Sequence, residues 1–385
     1  GVFQSQFFGP LLEVPAAQTA RTGGVAVRMA PLASTLRDGR AVVSDILQAP
    51  ATALSPRMLS RMNVINGLDY HTSVGHNRGM SIGGDTDSPS IDQVLAQSPS
   101  FYRSRPAAGA LVRNLVSITR SGGSLVTTTP TAESNQRLFD RLFNTTGSGA
   151  PPAGEPMIVV DRVREHAGAV ISDPQCGSDC RSRLSDYLDL LAEVQTAVDG
   201  GPGGGTGVVS SFPRPTESTA AVEAQAGFYG APERQVACEK LWNDIVAAAF
   251  AAGISRVYVC GPNTYTFGEE SEHAWHNNYA HGLDDPVRRA GYNAAVQRQF
   301  EGALLDLALR LDQLRTADGR TLFDKSLLAQ SFELGSGGNP GHHHNRCIPL
   351  VTLGDAGGYF RTGLSLDYRN LDSFAWSSDP KWYSG

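Results

Sequence analysis

"ERQVACEKLWNDIVAAAFAAGISRVYVC", residues 233 to 260, changes its hydrophobic period partway along. Through Ala252 the apolar residues recur at helical spacing, and Gly253 stands where a helix C-cap belongs. "SRVYVC" then has the short, β-branched character of a strand, so the stretch is a helix-to-strand step. The step is repeated further on. "DPVRRAGYNAAVQRQFEGALLDLALRLDQL" (285–314) reads as one long helix, and "SLLAQSF" (326–332) as a buried strand. "SLVTTTP" (124–130) and "CIPLVTLG" (347–354) add strands, and "DYLDLLAEVQTAV" (186–198) adds an amphipathic helix. Repeated units of this kind predict an α/β architecture with a mainly parallel sheet. In such sheets binding groups collect in the loops just past the carboxyl ends of the strands.

The chain has 385 residues, 41% hydrophobic and 18% charged, which is enough apolar material for a large core and excludes disorder of the whole. We expect a single α/β domain over 1–385, interrupted by Gly/Pro-rich loops at 146–156 and 199–207. The second loop has neither a feeding strand nor a P-loop lysine, so it reads as a linker and not a phosphate cradle. A formal charge of -6 without a Lys/Arg run argues against a nucleic-acid partner. No apolar run reaches the length of a membrane span. The first residue is Gly1 rather than Met, the start expected of a processed product or of part of a longer precursor with any signal upstream. Of five cysteines, Cys176 and Cys180 are close enough to turn back on one another, and the odd count leaves at least one thiol without an internal partner.

Eight of the nine histidines fall in three short segments. "DYHTSVGHNRG" holds His71 and His76, "SEHAWHNNYAHG" holds His273, His276 and His281, and "GHHHN" holds His342, His343 and His344; only His166 stands apart. The second and third segments follow the strands predicted at 255–260 and 326–332, so two loops at one sheet edge would bring imidazoles into one crevice. Neutral imidazole is the commonest transition-metal ligand, and such a metal takes three or four donors from different segments. On a helix His276 and His281 would diverge by about 140°, so they converge only in a loop, which the adjacent asparagines and Gly282 favour. In an extended "HHH", His342 and His344 share a side while His343 faces away. Glu333, at the end of its predicted strand, is placed to complete a metal shell or to orient an imidazole. The candidate metal ligands are therefore His76, His276, His281, Glu333, His342 and His344. Ser73 and Thr72 are candidate nucleophiles, and Arg78 a candidate anion clamp because a planar guanidinium fits a phosphate or sulfate oxygen pair. The bland alternative for any one of these is a solvated loop histidine, a strand-end acid or a helix-capping hydroxyl.

In this order the motifs "NVINGLDYHTSVGH", "PSIDQVLAQ", "LSDYLDLLAEVQ", "HNNYAHG", the long helix and "TLFDKSLLAQSFELGSGGNPGHHHNRCIPLVTLGDAGGYFRTG" run through nearly the whole chain. In them the chain resembles an exported bacterial family, domain-of-unknown-function family fifteen fifty-two, itself similar to the alkaline phosphatase and sulfatase superfamily. The resemblance implies a three-layer α/β/α sandwich, a metal site at the carboxyl edge of the sheet, and export by a twin-arginine signal to the periplasm or beyond. Two departures stand out. The superfamily's first strand, with its metal-binding aspartate, belongs upstream of Gly1, and the usual Asp-Ser pair is missing around Ser73.

The leading expectation is an exported metal-dependent hydrolase of a small-molecule or polymer-borne phosphate or sulfate ester, with zinc or copper as the metal. A histidine-rich shell poor in carboxylates also suits a copper redox protein. The third expectation, from another class, is a catalytically inactive surface component capable of self-assembly.

Overall fold

The computed structural model describes residues 2–3, 19–22, 25–68, 89–98, 101, 109–113, 117–121, 124–128, 138, 232–251, 255–261, 285–316, 319–332, 334–335 and 348–368. In chain order the strands are β1 (Val2–Phe3), β2 (Thr19–Thr22), β3 (Val25–Pro31), β4 (Thr35–Arg37), β5 (Arg40–Val42), β6 (Gln48–Pro50) and β7 (Met62–Leu68). They continue with β8 (Ala110–Arg113), β9 (Ser117–Ser121), β10 (Ser124–Thr128), β11 (Val257–Cys260) and β12 (Leu328–Ser331). The last are β13 (Leu334–Gly335), β14 (Ile348–Leu353) and β15 (Leu364–Asp367). The α-helices are α1 (Pro56–Ser60), α2 (Ile91–Gln97), α3 (Pro232–Ala251), α4 (Pro286–Gln299) and α5 (Asp306–Gln313).

Periodicity alone places the strongest elements well. The predicted helix 233–253 is α3, whose Trp242, Ile245, Val246, Ala247, Ala248 and Ala249 are all buried, so its central part serves the core on several sides. The strand that follows is β11. The predicted helix 285–314 begins at α4, where Asp285 accepts from the backbone N–H of Val287 at 2.8 Å and of Arg288 at 3.1 Å, and Pro286 fills the first turn. Of the four opening positions whose N–H a helix cannot satisfy itself, Pro286 carries no donor and Asp285 accepts from Val287 and Arg288, which leaves one.

That long helix is not α-helical throughout. Residues Phe300–Leu305 form a π-helical turn between α4 and α5. A widened turn leaves carbonyls without their usual i→i−4 partner, and Asn243 of α3 supplies one: its Nδ2 donates to Gly302 O at 3.0 Å, to Ala303 O at 3.2 Å and to Asp306 Oδ2 at 3.0 Å. A Cβ at Gly302 would lie 3.4 Å from Val236 Cγ1, an ordinary van der Waals contact, so the approach of α3 does not itself require glycine there. Asp306 also accepts from Arg310 Nε at 2.8 Å, and Arg310 pairs with Asp244 of α3.

Burial pushes the Asp306 carboxyl up to about 6, against the pull of the Asn243 hydrogen bond and the Lys240 charge. An acid whose folded pKa is raised binds its proton more tightly when folded, so its contribution to stability is complete below pH 4 and is lost as pH rises through about 6. Wild-type protein is therefore expected to lose on the order of 2 kcal/mol relative to Asp306→Asn between pH 4 and 7, read as the difference between their urea midpoints at each pH. A difference that stays flat, or widens the other way, rejects this account.

The central sheet runs β12-β14-β7-β15-β3-β2. Only β7 and β15 run parallel in it, while β12/β14, β14/β7, β15/β3 and β3/β2 are antiparallel. The architecture is thus mixed α/β, and the sheet is mixed where the repeated helix-to-strand steps predict a mainly parallel one. The steps establish that a strand follows a helix, but not the direction of that strand's neighbours. Nor do the two strands behind the predicted crevice lie side by side: β11 pairs in parallel with β8, whereas β12 pairs with β14.

Met62, Val64, Val351, Leu353 and Leu328 join residues of α3, the π turn and α5 in one buried cluster, with Phe300, Leu304, Leu305, Leu307, Ala308 and Leu311 against them. A separate three-stranded antiparallel meander, β4-β5-β6, turns at Asp38-Gly39, both at positive φ, the two-residue hairpin that Asp-Gly favours. Its Ala41, Ala49 and the following Leu54 and Met58 extend the same core.

Candidate functional site

His71, Thr72, Ser73, His76 and Arg78 lie outside the described residues, as do His273, His276, His281, Glu333, and His342 to His344. His166, Cys176 and Cys180 do too, with both Gly/Pro-rich loops. The strands leading into three of these segments are described, and their register is informative. β7 ends at Leu68, shortly before His71, and Leu68 is the partner of Ile348, where β14 begins shortly after His344. Ser331, the last residue of β12 and two before Glu333, is the partner of Leu350 near that same end of β14. The chain therefore departs for 71–78, departs for Glu333 and returns from 342–344 at one end of the central sheet. The segment 273–281 follows β11, which among the described residues pairs with β8 and not with that sheet.

The same end of the sheet has an inverted burial pattern. In β15, Ser365 and Asp367 are buried, whereas Leu364 and Leu366 are only partly so. Register sets Asp367 opposite Asn66 of β7 on one side and Arg28 of β3 on the other. By strand alternation Asn66, Ser365 and Asp367 share the sheet face of Val64 and Met62, which are core residues. The core face thus changes from apolar at Met62 and Val64 to polar at Asn66 and Asp367.

Arg28 Nη2 lies 3.5 Å from Asp367 Oδ2, longer than a strong charge-assisted bond. Asn66 Oδ1 and Ser365 Oγ are buried without a hydrogen-bond partner among the described residues. Asn63, on the opposite face, is a contrast: its Nδ2 donates to Arg361 O at 3.0 Å and its Oδ1 accepts from Leu364 N at 3.1 Å, so it staples β7 to β15. Buried polar atoms nearly always find partners, which makes the Asn66 and Ser365 oxygens exceptions that call for a physical cause.

A second buried polar cluster lies at the carboxyl ends of β8 and β11. Arg113 and Cys260 are register partners there, and Arg113 Nη1 lies 2.6 Å from Glu239 Oε2 of α3. The guanidinium also stands 4.5 Å from the centre of the Trp242 ring. Burial raises the Tyr258 hydroxyl well above its ordinary pKa, with Cys260 adding to the rise and Arg113 opposing it, so the phenol is a neutral hydrogen-bonding group.

Reading the sequence did not single out Arg28, Asn66, Ser365 or Asp367. The signal was present in "LSLD", but alternating apolar and polar residues ordinarily mark a strand with its polar face in water. Here the polar face is the buried one. Among the described residues no group of three or more His, Cys, Asp or Glu is placed to hold a metal ion, and no helix is long and apolar enough to cross a membrane. Comparison with protein-family models, curated proteins and solved structures finds no match for this chain.

Proposed function

We propose that this chain is an exported metalloprotein of the alkaline-phosphatase-like type, in a three-layer α/β/α arrangement, acting on a phosphate or sulfate ester. The observation that carries this reading is the register at Leu68, Ile348 and Ser331, which directs the routes to His76, to Glu333 and from His342 and His344 toward one end of the central sheet. The buried polar floor at that end, Asn66, Ser365 and Asp367, suits a charged occupant better than an apolar one. His76, Glu333, His342 and His344, with His276 and His281 from the segment after β11, would hold the metal. When bound, zinc supplies Lewis-acid polarisation of an ester oxygen and lowers the pKa of water. Arg78 would clamp the substrate's anionic oxygens, and Ser73 would present its hydroxyl to the ester.

The test is elemental analysis of full-length protein purified without chelator or nickel resin, followed by assay with aryl phosphate and aryl sulfate esters. Stoichiometric zinc, with turnover lost in Ser73→Ala, is the expected result. Stoichiometric copper without turnover would assign the histidines to a redox centre instead. Protein that carries no metal and turns over no ester would leave the assembly role, and the hydrolase reading would be abandoned.

A further inference from the structure

We infer that Asn66 and Asp367 are oxygen ligands of a divalent cation, on the floor of the sheet-end site. The inference rests on the metalloprotein reading above and deepens it by naming two ligands in residues that the fold itself fixes. β7 and β15 are adjacent and parallel, and Asn66 and Asp367 are register partners, so their side chains leave the same face about 4.8 Å apart, the spacing of neighbouring strands. Ser365 follows on the same face, one pleat back from Asp367. Three oxygen acceptors thus lie together, and two of them, Asn66 Oδ1 and Ser365 Oγ, are buried and have no partner among the described residues.

The chemistry of these groups selects the occupant. An amide carbonyl and a carboxylate are acceptors, and a serine hydroxyl is both donor and acceptor, so an anion at this point would meet two groups that repel it. A cation satisfies all three at once. Arg28 meets Asp367 from β3, the side away from Asn66, so its charge does not come between the two proposed ligands. Nor does packing explain the arrangement. A leucine at 66 would fill much the same volume with no oxygen to desolvate, as Val64 and Met62 do on the same strand and face. Oxygen donors are hard ligands, so this floor favours manganese or zinc and disfavours copper(I).

The experiment uses the whole chain, stripped with chelator and dialysed. Isothermal titration with zinc chloride and with manganese chloride is run on wild type, Asn66→Leu and Asp367→Asn, alongside thermal unfolding of each with and without metal. Wild type is expected to bind one of the two ions and to unfold at higher temperature with it. Both variants are expected to lose affinity by about tenfold or more. Stripped Asn66→Leu is expected to unfold no earlier than stripped wild type, because it removes an acceptor that nothing satisfies. Variants that bind as wild type does overturn the inference while leaving the metalloprotein reading intact. Wild type that binds neither ion sinks both. Earlier unfolding of stripped Asn66→Leu would show that the amide oxygen serves the fold rather than a cation, and overturns the inference as well.

Discussion

Gly354→Ala is expected to destabilise the protein by more than about 3 kcal/mol, seen as a fall in the urea midpoint. Gly354 follows β14 at φ +89, a left-handed conformation that costs an L-residue about 1–2 kcal/mol by itself. The remainder is steric. A Cβ built at Gly354 would stand 2.3 Å from Ser326 O, 3.1 Å from Ser326 C and 3.2 Å from Phe323 O. All three are backbone atoms, so no side-chain rotation relieves the clash. The backbone has little room to withdraw, because Gly354 N donates to Arg61 O at 2.9 Å and Ala356 N donates to Ser326 O at 3.0 Å. Asp355, between them, pairs with Arg61 and accepts from Gly358 N at 3.0 Å. Gly39→Ala is the control: φ is +74 there but nothing lies within 4 Å of an added Cβ, so only the conformational cost of about 1–2 kcal/mol applies. Equal losses at the two positions would show that the approach to Ser326 is not what requires glycine at 354.

Elements whose signals lie within a dozen neighbouring residues were legible in the chain. α3, β11, the helix from Asp285, β12, β14 and β10 all sit where hydrophobic period and capping residues predict them. What escaped depends on residues far apart in sequence. The π turn at Phe300–Leu305 owes its hydrogen bonding to Asn243, some sixty residues earlier, and nothing in "FEGALL" announces it. Strand direction escaped for the same reason, since the parallel pairing of β7 with β15 joins residues about 300 apart. For the candidate site the histidine clusters were the readable part, because three compositional islands are visible without any fold. Asn66 and Asp367 were not readable, because one asparagine in "NVING" and one aspartate after "LSL" become neighbours only through that pairing. Burial completes the point: the inside-outside rule applied to "LSLD" assigns the wrong face.

Glu239→Ala is expected to cost about 3–5 kcal/mol, the range for removing one partner of a buried ion pair. The side chains of Arg113 and Glu239 are only 8% and 5% exposed, so neither charge can turn to water when the other is removed. The guanidinium that remains would still face Trp242 at 4.5 Å, but a ring face offers a cation far less than a carboxylate at 2.6 Å. Burial also makes the loss insensitive to salt, unlike that of an exposed pair such as Arg57 with Asp312. Glu239→Gln separates charge from shape: it keeps an acceptor toward Arg113 but removes the negative charge, and should fall between wild type and alanine. The double replacement Arg113→Met with Glu239→Leu removes both charges together with Glu239 Oε1, which has no partner among the described residues, so it should recover most of the loss. Urea unfolding of the four proteins forms the comparison, and the double variant must be more stable than Glu239→Ala. A loss below about 1 kcal/mol in Glu239→Ala, the range of surface pairs, would show that water or another group compensates Arg113. Because β8 and β11 are parallel and Cys260 is the partner of Arg113, this pair fastens α3 over the strand end from which the chain runs on toward His273, His276 and His281.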